Sequence, residues 1–370
     1  MNRRRFLQAS LATALPRPAF ARNAASFSFV VLGDLHFDRP EHHDFAWLNA
    51  NKAGDLGQIE NYCKLTKEVM PKVFAAVKTK IAEFSKTDAP AAFVLQVGDL
   101  VEGLCGSAEL AARQNREAVE FVKTAQLGVP FVFTKGNHDV TGNGAVEAFD
   151  EVLLPFVSAE ARRVDPTIDG QHGASHSLTH GNTQFSFFDA YDRDSLDWFE
   201  ACVARRTADH LFVTVHPPVV PYGARATWHL FADEKSKAKR QKLLDLLGGH
   251  EAIVLGGHLH KFCHLTRVAG GKRFTQLAVS SVISNADTKP KDELSGADAY
   301  TGDQVKLEPK HSPETEAARR EIYDAERKFV PEFEYADTAG FAVVKVAGAK
   351  ISAQIFNGAG SAAWREVSLA

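Results

Sequence analysis

Five short apolar runs recur along the chain, and each closes on a polar tip. FSFVVLGDLHF (27–37) ends in Gly33-Asp34-Leu35-His36, and AAFVLQVGDLVEG (91–103) carries Gly98-Asp99. VPFVFTKGNHD (129–139) ends in Gly136-Asn137-His138-Asp139, HLFVTVHPP (210–218) reaches His216, and EAIVLGGHLH (251–260) ends in Gly257-His258-Leu259-His260. Unbroken apolar runs of this length predict strands buried on both faces. Helix-period segments lie between them. In 65–84, Leu65, Val69, Val73, Val77, Ile81 and Phe84 share one face; 108–126, 194–206 and 234–247 follow. Strand and helix in alternation predict an α/β domain with largely parallel strands, in which ligands gather at the carboxyl ends of strands. All five polar tips fall there.

Two segments break the alternation. Residues 37–62 are a long polar connection, and 285–335 are charged and carry Pro290, Pro309, Pro313 and Pro331. Within the second, 312–329 predicts a helix with Ser312 as N-cap and Pro313 at the first position. Long insertions of this kind are usually functional or unstructured, and a partial lid or rim is expected here. Residues 340–357 alternate around Gly348 and predict a closing hairpin. The N-terminus has a different anatomy: three arginines, an apolar stretch from Phe6 to Leu15, then Ala19-Phe20-Ala21. It predicts a twin-arginine-type export signal over 1–21 and a periplasmic or secreted protein. Residues 22–370 are then one domain with insertions at about 37–62 and 285–335 and a closing strand pair at about 340–357.

Composition narrows the partners. Of 370 residues, 45% are hydrophobic and 24% charged, and no apolar stretch is long enough for a membrane span. Residues 1–21 hold four arginines and no acids, so leaving them out moves the formal charge from −3 to −7. Such a chain has no general affinity for nucleic acid or anionic lipid, and attraction for phosphate must be local. Cys63, Cys105, Cys202 and Cys263 form no CxxC pair; two disulfides or buried thiols both fit.

The tips supply the chemistry. Asp34-x-His36, Gly98-Asp99, Gly136-Asn137-His138-Asp139, His216 and Gly257-His258-x-His260, in this order, resemble the calcineurin-like metallophosphoesterase family, in particular its purple acid phosphatase and cyclic-nucleotide phosphodiesterase branches. The resemblance implies a four-layer α/β/β/α sandwich with a dimetal site. Asp34, His36 and His260 would hold one metal, Asn137, His216 and His258 the other, and Asp99 would bridge them. Mixed Asp, Asn and His ligands suit Mn, Fe or Zn. Two such ions about 3.5–4 Å apart generate hydroxide and absorb charge on phosphorus. His138 would assist the leaving group, Asp139 would hold its imidazole, and Gly136 would let the backbone turn sharply. Alternate residues of an extended segment share a face, so His258 and His260 are expected to point the same way, as are Asp34 and His36.

Departures from relatives matter too. Glu102 stands where purple acid phosphatases carry a tyrosine ligand, and GDLVEGLC lacks the aspartate-arginine-glycine string of the serine/threonine phosphatases. His42 and His43 read as solvated loop residues, while Lys135, Arg193, Tyr222 and Lys261 flank the tips. The expected function is hydrolysis of a small phosphate ester, with a slight lean to phosphodiesters because no arginine-rich pocket motif is evident. The alternative is a metal-binding scaffold of the same fold without catalysis.

Overall fold

Strand β1 (Phe27–Leu32) shows how the architecture arises, since every residue in it is buried. Phe27, Phe29 and Val31 pack in an apolar layer with Phe185, Phe212 and Leu255, whereas Val30 and Leu32 pack in a second layer with Val73, Phe74 and Val77. A strand covered on both faces sits between a sheet and helices. The computed structural model describes residues 26–168, 171–282, 284–307 and 315–370.

In chain order the helices are α1 (Phe45–Asn51), α2 (Leu56–Glu68), α3 (Met70–Phe84), α4 (Ala108–Thr124), α5 (Ala145–Ala148), α6 (Leu154–Val164), α7 (Ser195–Ala204), α8 (Lys237–Gly249) and α9 (Glu316–Glu326). The strands after β1 are β2 (Ala91–Gln96), β3 (Phe131–Phe133), β4 (His176–His180), β5 (Thr183–Phe187), β6 (His210–Thr214), β7 (Ile253–Gly256) and β8 (Phe262–Ala269). There follow β9 (Lys272–Ala278), β10 (Lys291–Ser295), β11 (Glu332–Asp337), β12 (Gly340–Ala347), β13 (Lys350–Asn357) and β14 (Ala363–Ser368).

One sheet has the order β14-β13-β12-β1-β2-β3, the other β10-β11-β8-β9-β7-β6-β5-β4. Strands β1, β2 and β3 are mutually parallel, as are β5, β6, β7 and β9. The expected closing hairpin is β12–β13, and β12 pairs antiparallel with β1. Helices α2, α3, α4 and α6 contribute to the layer outside the first sheet, and α7, α8 and α9 to the layer outside the second. The result is the expected α/β/β/α sandwich. The parallel reading was incomplete, because antiparallel strands lie on one side of the parallel run in the first sheet and on both sides of it in the second.

The helical periodicity expected from residue 65 is interrupted. Val69 closes α2 and opens α3, and Pro71 lies in the first turn of α3. Proline has no N–H to donate and crowds the carbonyl four residues earlier, so one helix becomes two. The polar connection at 37–62 is itself largely helical. Its His42 and His43 are buried, contrary to the solvated reading. His43 Nε2 lies 2.7 Å from Asp38 Oδ1, and its Nδ1 lies 3.2 Å from the Leu104 carbonyl. Gln114 Nε2 donates to the same Asp38 oxygen at 2.8 Å, so the histidine ties the segment to α4.

In 285–335, β11 pairs with β8 and β10 forms the sheet edge. The helix there begins at Glu316 and is capped by Thr315, whose hydroxyl accepts from Ala318 N at 3.2 Å. Ser312 and Pro313, the expected start, lie outside the described residues, as does the export signal at 1–21. All four cysteines are free thiols, three of them buried. Among the described residues no helix is long and apolar enough to cross a membrane.

Helix α9 is pinned by Glu326, which accepts from Arg267 Nε at 2.7 Å and Arg240 Nη2 at 2.9 Å. Burial pushes its carboxyl up, but the two guanidiniums outweigh burial and hold it below the usual range. A lowered carboxyl pKa gives stability that is present above the unfolded value and lost as pH falls through the folded one. Glu326→Ala should therefore cost about 3 kcal/mol near neutral pH, as breaking a buried ion pair does. Chemical denaturation at pH 7 and pH 4 should show the gap to wild type narrowing at the lower pH.

Candidate metal centre

The five polar tips converge at one edge of the sandwich. The first sheet delivers Asp34, His36, Asp99, Asn137 and His138 from the ends of β1, β2 and β3, and the second delivers His216, His258 and His260 from β6 and β7. Two groups result. In the first, His260 Nε2 lies 2.9 Å from Asp34 Oδ2 and 3.1 Å from His36 Nε2. In the second, His216 Nε2 lies 3.0 Å from Asp99 Oδ2, 3.2 Å from Asn137 Oδ1 and 3.2 Å from His258 Nδ1. The same Asp99 oxygen is 3.8 Å from His36 Nε2, so it faces both groups.

The backbone at the tips is unusual. His36, Asp99, His258 and His260 have φ of 48°, 56°, 70° and 59°, a left-handed region that costs a non-glycine residue about 1 kcal/mol or more. This overturns the expectation of a shared face for His258 and His260, whereas Asp34 and His36 do join one group, with His36 in the left-handed region and not on an extended segment. The tip after β7 is a turn, closed by Leu259 N donating to Gly257 O at 2.8 Å, and His258 and His260 go to different groups. Glycine serves a purpose other than the expected one at position 136. Its φ is not positive, but a Cβ there would overlap the Asp99 amide and carboxylate. A Cβ on Gly257 would likewise overlap the Asp34 carboxylate.

Tautomers show what the pocket demands. His216 Nδ1 lies 2.9 Å from the Val97 carbonyl, which can only accept, so the proton is on Nδ1. The neutral ring then presents an Nε2 lone pair to a carboxylate oxygen and an amide oxygen. His36 repeats the pattern: its Nδ1 donates to Glu102 Oε2 at 2.7 Å, and its Nε2 faces His260 and the two aspartates. With neutral rings, lone pairs face one another and the carboxylate oxygens, an arrangement that a cation relieves, whether a proton on Nε2 or a metal ion.

The electrostatics agree. Burial would lower the His36 imidazole, but Glu102, Asp99 and Asp34 raise it to about 9. Burial likewise opposes and Asp99 and Asp34 raise His216 to about 9. Burial pushes the Asp99 carboxyl up, yet His216 and His138 hold it well below its usual range. The residues thus fit metal ions: oxygen and imidazole donors converge where positive charge is stabilised.

His138 lies at the rim. Its side chain keeps 20% exposure, whereas those of His36 and His216 keep none. Its Nδ1 donates to the Glu102 carbonyl at 2.8 Å and lies 3.3 Å from Glu102 Oε2. Its backbone N donates to Asp99 Oδ1 at 2.8 Å. The expected role of Asp139 is not what the structure shows. Asp139 accepts from the backbone amides of Gly136, Asp99 and Val101 at 2.8, 3.1 and 3.1 Å, clamping the loops after β2 and β3 together. The His138 Nδ1 contacts are with Glu102 instead.

Glu102 does that work and was missed as a functional residue. It is fully buried, its Oε2 holds His36, its carbonyl holds His138, and Gln58 Nε2 donates to its Oε1 at 2.8 Å. The available signal was a carboxylate three positions after Asp99 in an otherwise apolar stretch. Tyr62 also escaped notice; its ring stacks on His36 with centroids 4.3 Å apart. Of the flanking residues, Lys135 is committed to an ion pair with Asp189 and Tyr222 is fully buried, while Lys261 lines a cavity beside His260.

A two-sheet sandwich whose strand ends carry clustered aspartate, asparagine and histidine defines a metal-dependent hydrolase. Residues 27–262 match the family described as Calcineurin-like phosphoesterase, and the chain belongs to it. No curated protein matches the sequence. Among solved structures, the fold is similar to the purple acid phosphatase PPD1 from yellow lupin (Lupinus luteus) seeds, with a TM-score of 0.54, 11% identity, 93% of this chain covered and 54% of that one. It is also similar to a dimetal phosphatase from Danio rerio (TM-score 0.51, 11% identity, 93% and 98% covered) and to PhoD (0.50, 13%, 94% and 69%). The chain spans about half the length of the lupin protein.

Proposed function

We propose that the chain hydrolyses a small phosphate ester at a two-metal centre. Asp34, His36 and His260 would hold one ion, Asn137, His216 and His258 the other, and Asp99 would serve both. The observation that carries this reading is the convergence of lone pairs at His36 Nε2 and His216 Nε2, with the Asp99 oxygen facing both. Metals bound there would supply a water acidified to near-neutral pKa and charge to balance the phosphoryl oxygens.

The chain's own residues do the rest. Glu102 fixes the His36 tautomer so that Nε2 faces inward. The Val97 carbonyl does the same for His216. Glu102 O fixes the proton of His138 on Nδ1, so a second proton, on Nε2, is the one available to a departing alkoxide. Asp139 keeps the tips of β2 and β3 in register, which sets His138 against Asp99. The scaffold alternative keeps the metals and loses turnover.

Elemental analysis of the chain purified without added metal, run beside hydrolysis of mono- and bis-p-nitrophenyl phosphate, tests the reading. Two metals per chain and chelator-sensitive turnover are expected. Metal without turnover of either ester would favour the scaffold; no metal after reconstitution with Mn, Fe or Zn would sink the site. The lean to phosphodiesters rested on the lack of a cationic motif, and the cavity described below removes that premise.

For the N-terminal segment the proposal is export of the folded protein by a twin-arginine route to the periplasm or beyond. Replacing Arg3, Arg4 and Arg5 with lysine should leave the protein in the cytoplasmic fraction, as read by immunoblot of separated compartments. Unchanged export would exclude that route.

A further inference from the structure

Beside His260 the surface dips into a cavity of about 310 Å³. The space accommodates one phosphoryl or carboxylate group with a short linker. Its charges are one-sided. Arg225, Lys261, Lys289 and Lys291 line it, and among the described residues Asp337 is its one carboxylate. Asp337 lies 2.9 Å from Lys261 Nζ, which leaves the wall with a formal excess of three positive charges. The cations come from separate segments: the loop after β6, the start of β8, and the entry to β10. Lys291 is held in place by the pairing of β10 with β11, where it lies opposite Asp337.

The cavity adjoins the metal centre. His260 is in its wall. The Arg225 guanidinium lies 4.7 Å from the centre of the Trp228 ring, which in turn lies 5.5 Å from the His258 ring. Arg225 is therefore braced between the cavity and a metal-ligating imidazole. A guanidinium held over an indole has less side-chain entropy left to lose on meeting an oxyanion. The remainder of the lining is rich in hydroxyl groups, which suit phosphate oxygens.

We infer that this cavity binds a second anionic group of the substrate, so that the preferred esters carry a phosphate or carboxylate on the alcohol side of the scissile bond. The inference rests on the phosphoesterase reading and names its substrate class. The anionic group adds binding energy remote from the reacting phosphorus and orients the leaving alcohol away from the metal centre.

The test compares phenyl phosphate with 1,4-phenylene bisphosphate on the metal-loaded full chain. The two share an aryl leaving group, and only the second can fill the cavity. Wild type should favour the bisphosphate in kcat/KM by about tenfold or more, since one charge-assisted contact is worth about that much. The double variant Lys289→Ala/Lys291→Ala, whose residues are exposed and outside the catalytic machinery, should lose most of that preference through KM while keeping phenyl phosphate within about twofold. Raising ionic strength should erode the preference in wild type and not in the variant. A wild-type ratio near the statistical factor of two, or an equal loss on both substrates, would overturn the inference. If wild type turns over neither compound, the hydrolase reading fails by itself. Calorimetric titration with the same two compounds then decides the cavity: tighter bisphosphate binding that the double variant loses supports it, and equal binding overturns it.

Discussion

His138→Ala should leave a chain that carries its full metal complement and hydrolyses phosphate esters about 100- to 10,000-fold more slowly, the usual range for removal of a general acid. The ring is partly exposed and lies outside both proposed ligand sets, though it clusters with His36 and Glu102, so elemental content should match wild type if it is a proton donor, and loss of metal would make it a ligand. The defect should depend on the leaving group. p-Nitrophenolate departs without help, so that substrate should lose least, and phenyl or alkyl phosphates should lose most. A defect of equal size on all of them would assign His138 to binding and not to proton transfer. Unchanged turnover would remove it from the mechanism. Because the Glu102 carbonyl sets the tautomer, a Glu102 side-chain variant should perturb His36 more than His138.

Asp99→Asn should have a larger effect and a different signature. Asparagine tolerates the left-handed backbone found at this position, and its carbonyl oxygen can still accept from His138 N. What changes is the oxygen facing His36 and His216, which becomes an NH₂ that donates where an acceptor is needed. Metal affinity should fall by more than about 100-fold, beyond the loss typical of outer ligand partners, and turnover should vanish with it. Without metal the variant should be less stable than wild type near neutral pH, since the neighbouring histidines hold the Asp99 carboxyl well below its usual range and that stabilisation goes with the charge. Calorimetric titration with Mn or Zn and melting curves with and without metal separate these effects. Retention of two tightly bound ions would mean that Asp99 does not bridge.

The site was legible where chemistry is written in residue type and order. Asp34, His36, Asp99, Asn137, His216, His258 and His260 each follow an apolar run, and the runs became parallel strands ending on one side. Interactions that depend on loop conformation were not legible. Asp139 stands next to His138 in sequence, yet three amides claim it, and Glu102 reaches the ring from another strand end. The four left-handed residues at the tips leave no pattern, because histidine and aspartate do not announce positive φ as glycine does. The cationic cavity was invisible for a related reason. Arg225, Lys261, Lys289 and Lys291 are scattered over a long stretch, each among ordinary surface charges, and only the second sheet gathers them. The fold showed the same division: the buried parallel centre was clear, while the antiparallel flanks β4, β8, β10, β11 and β14 mix polar and apolar residues and lacked a signal.

The division of ligands between two sheets bears on the order of events as the chain is made. Asp34 emerges early in synthesis, but its partners His258 and His260 come more than two hundred residues later, and β1 gains its second neighbour only with β12. Neither half of the sequence can assemble a complete coordination sphere, however well it folds alone. With the proposed ligand sets, metal binding would wait until both sheets have formed and met, so a chain that had made only one of them would hold no complete site.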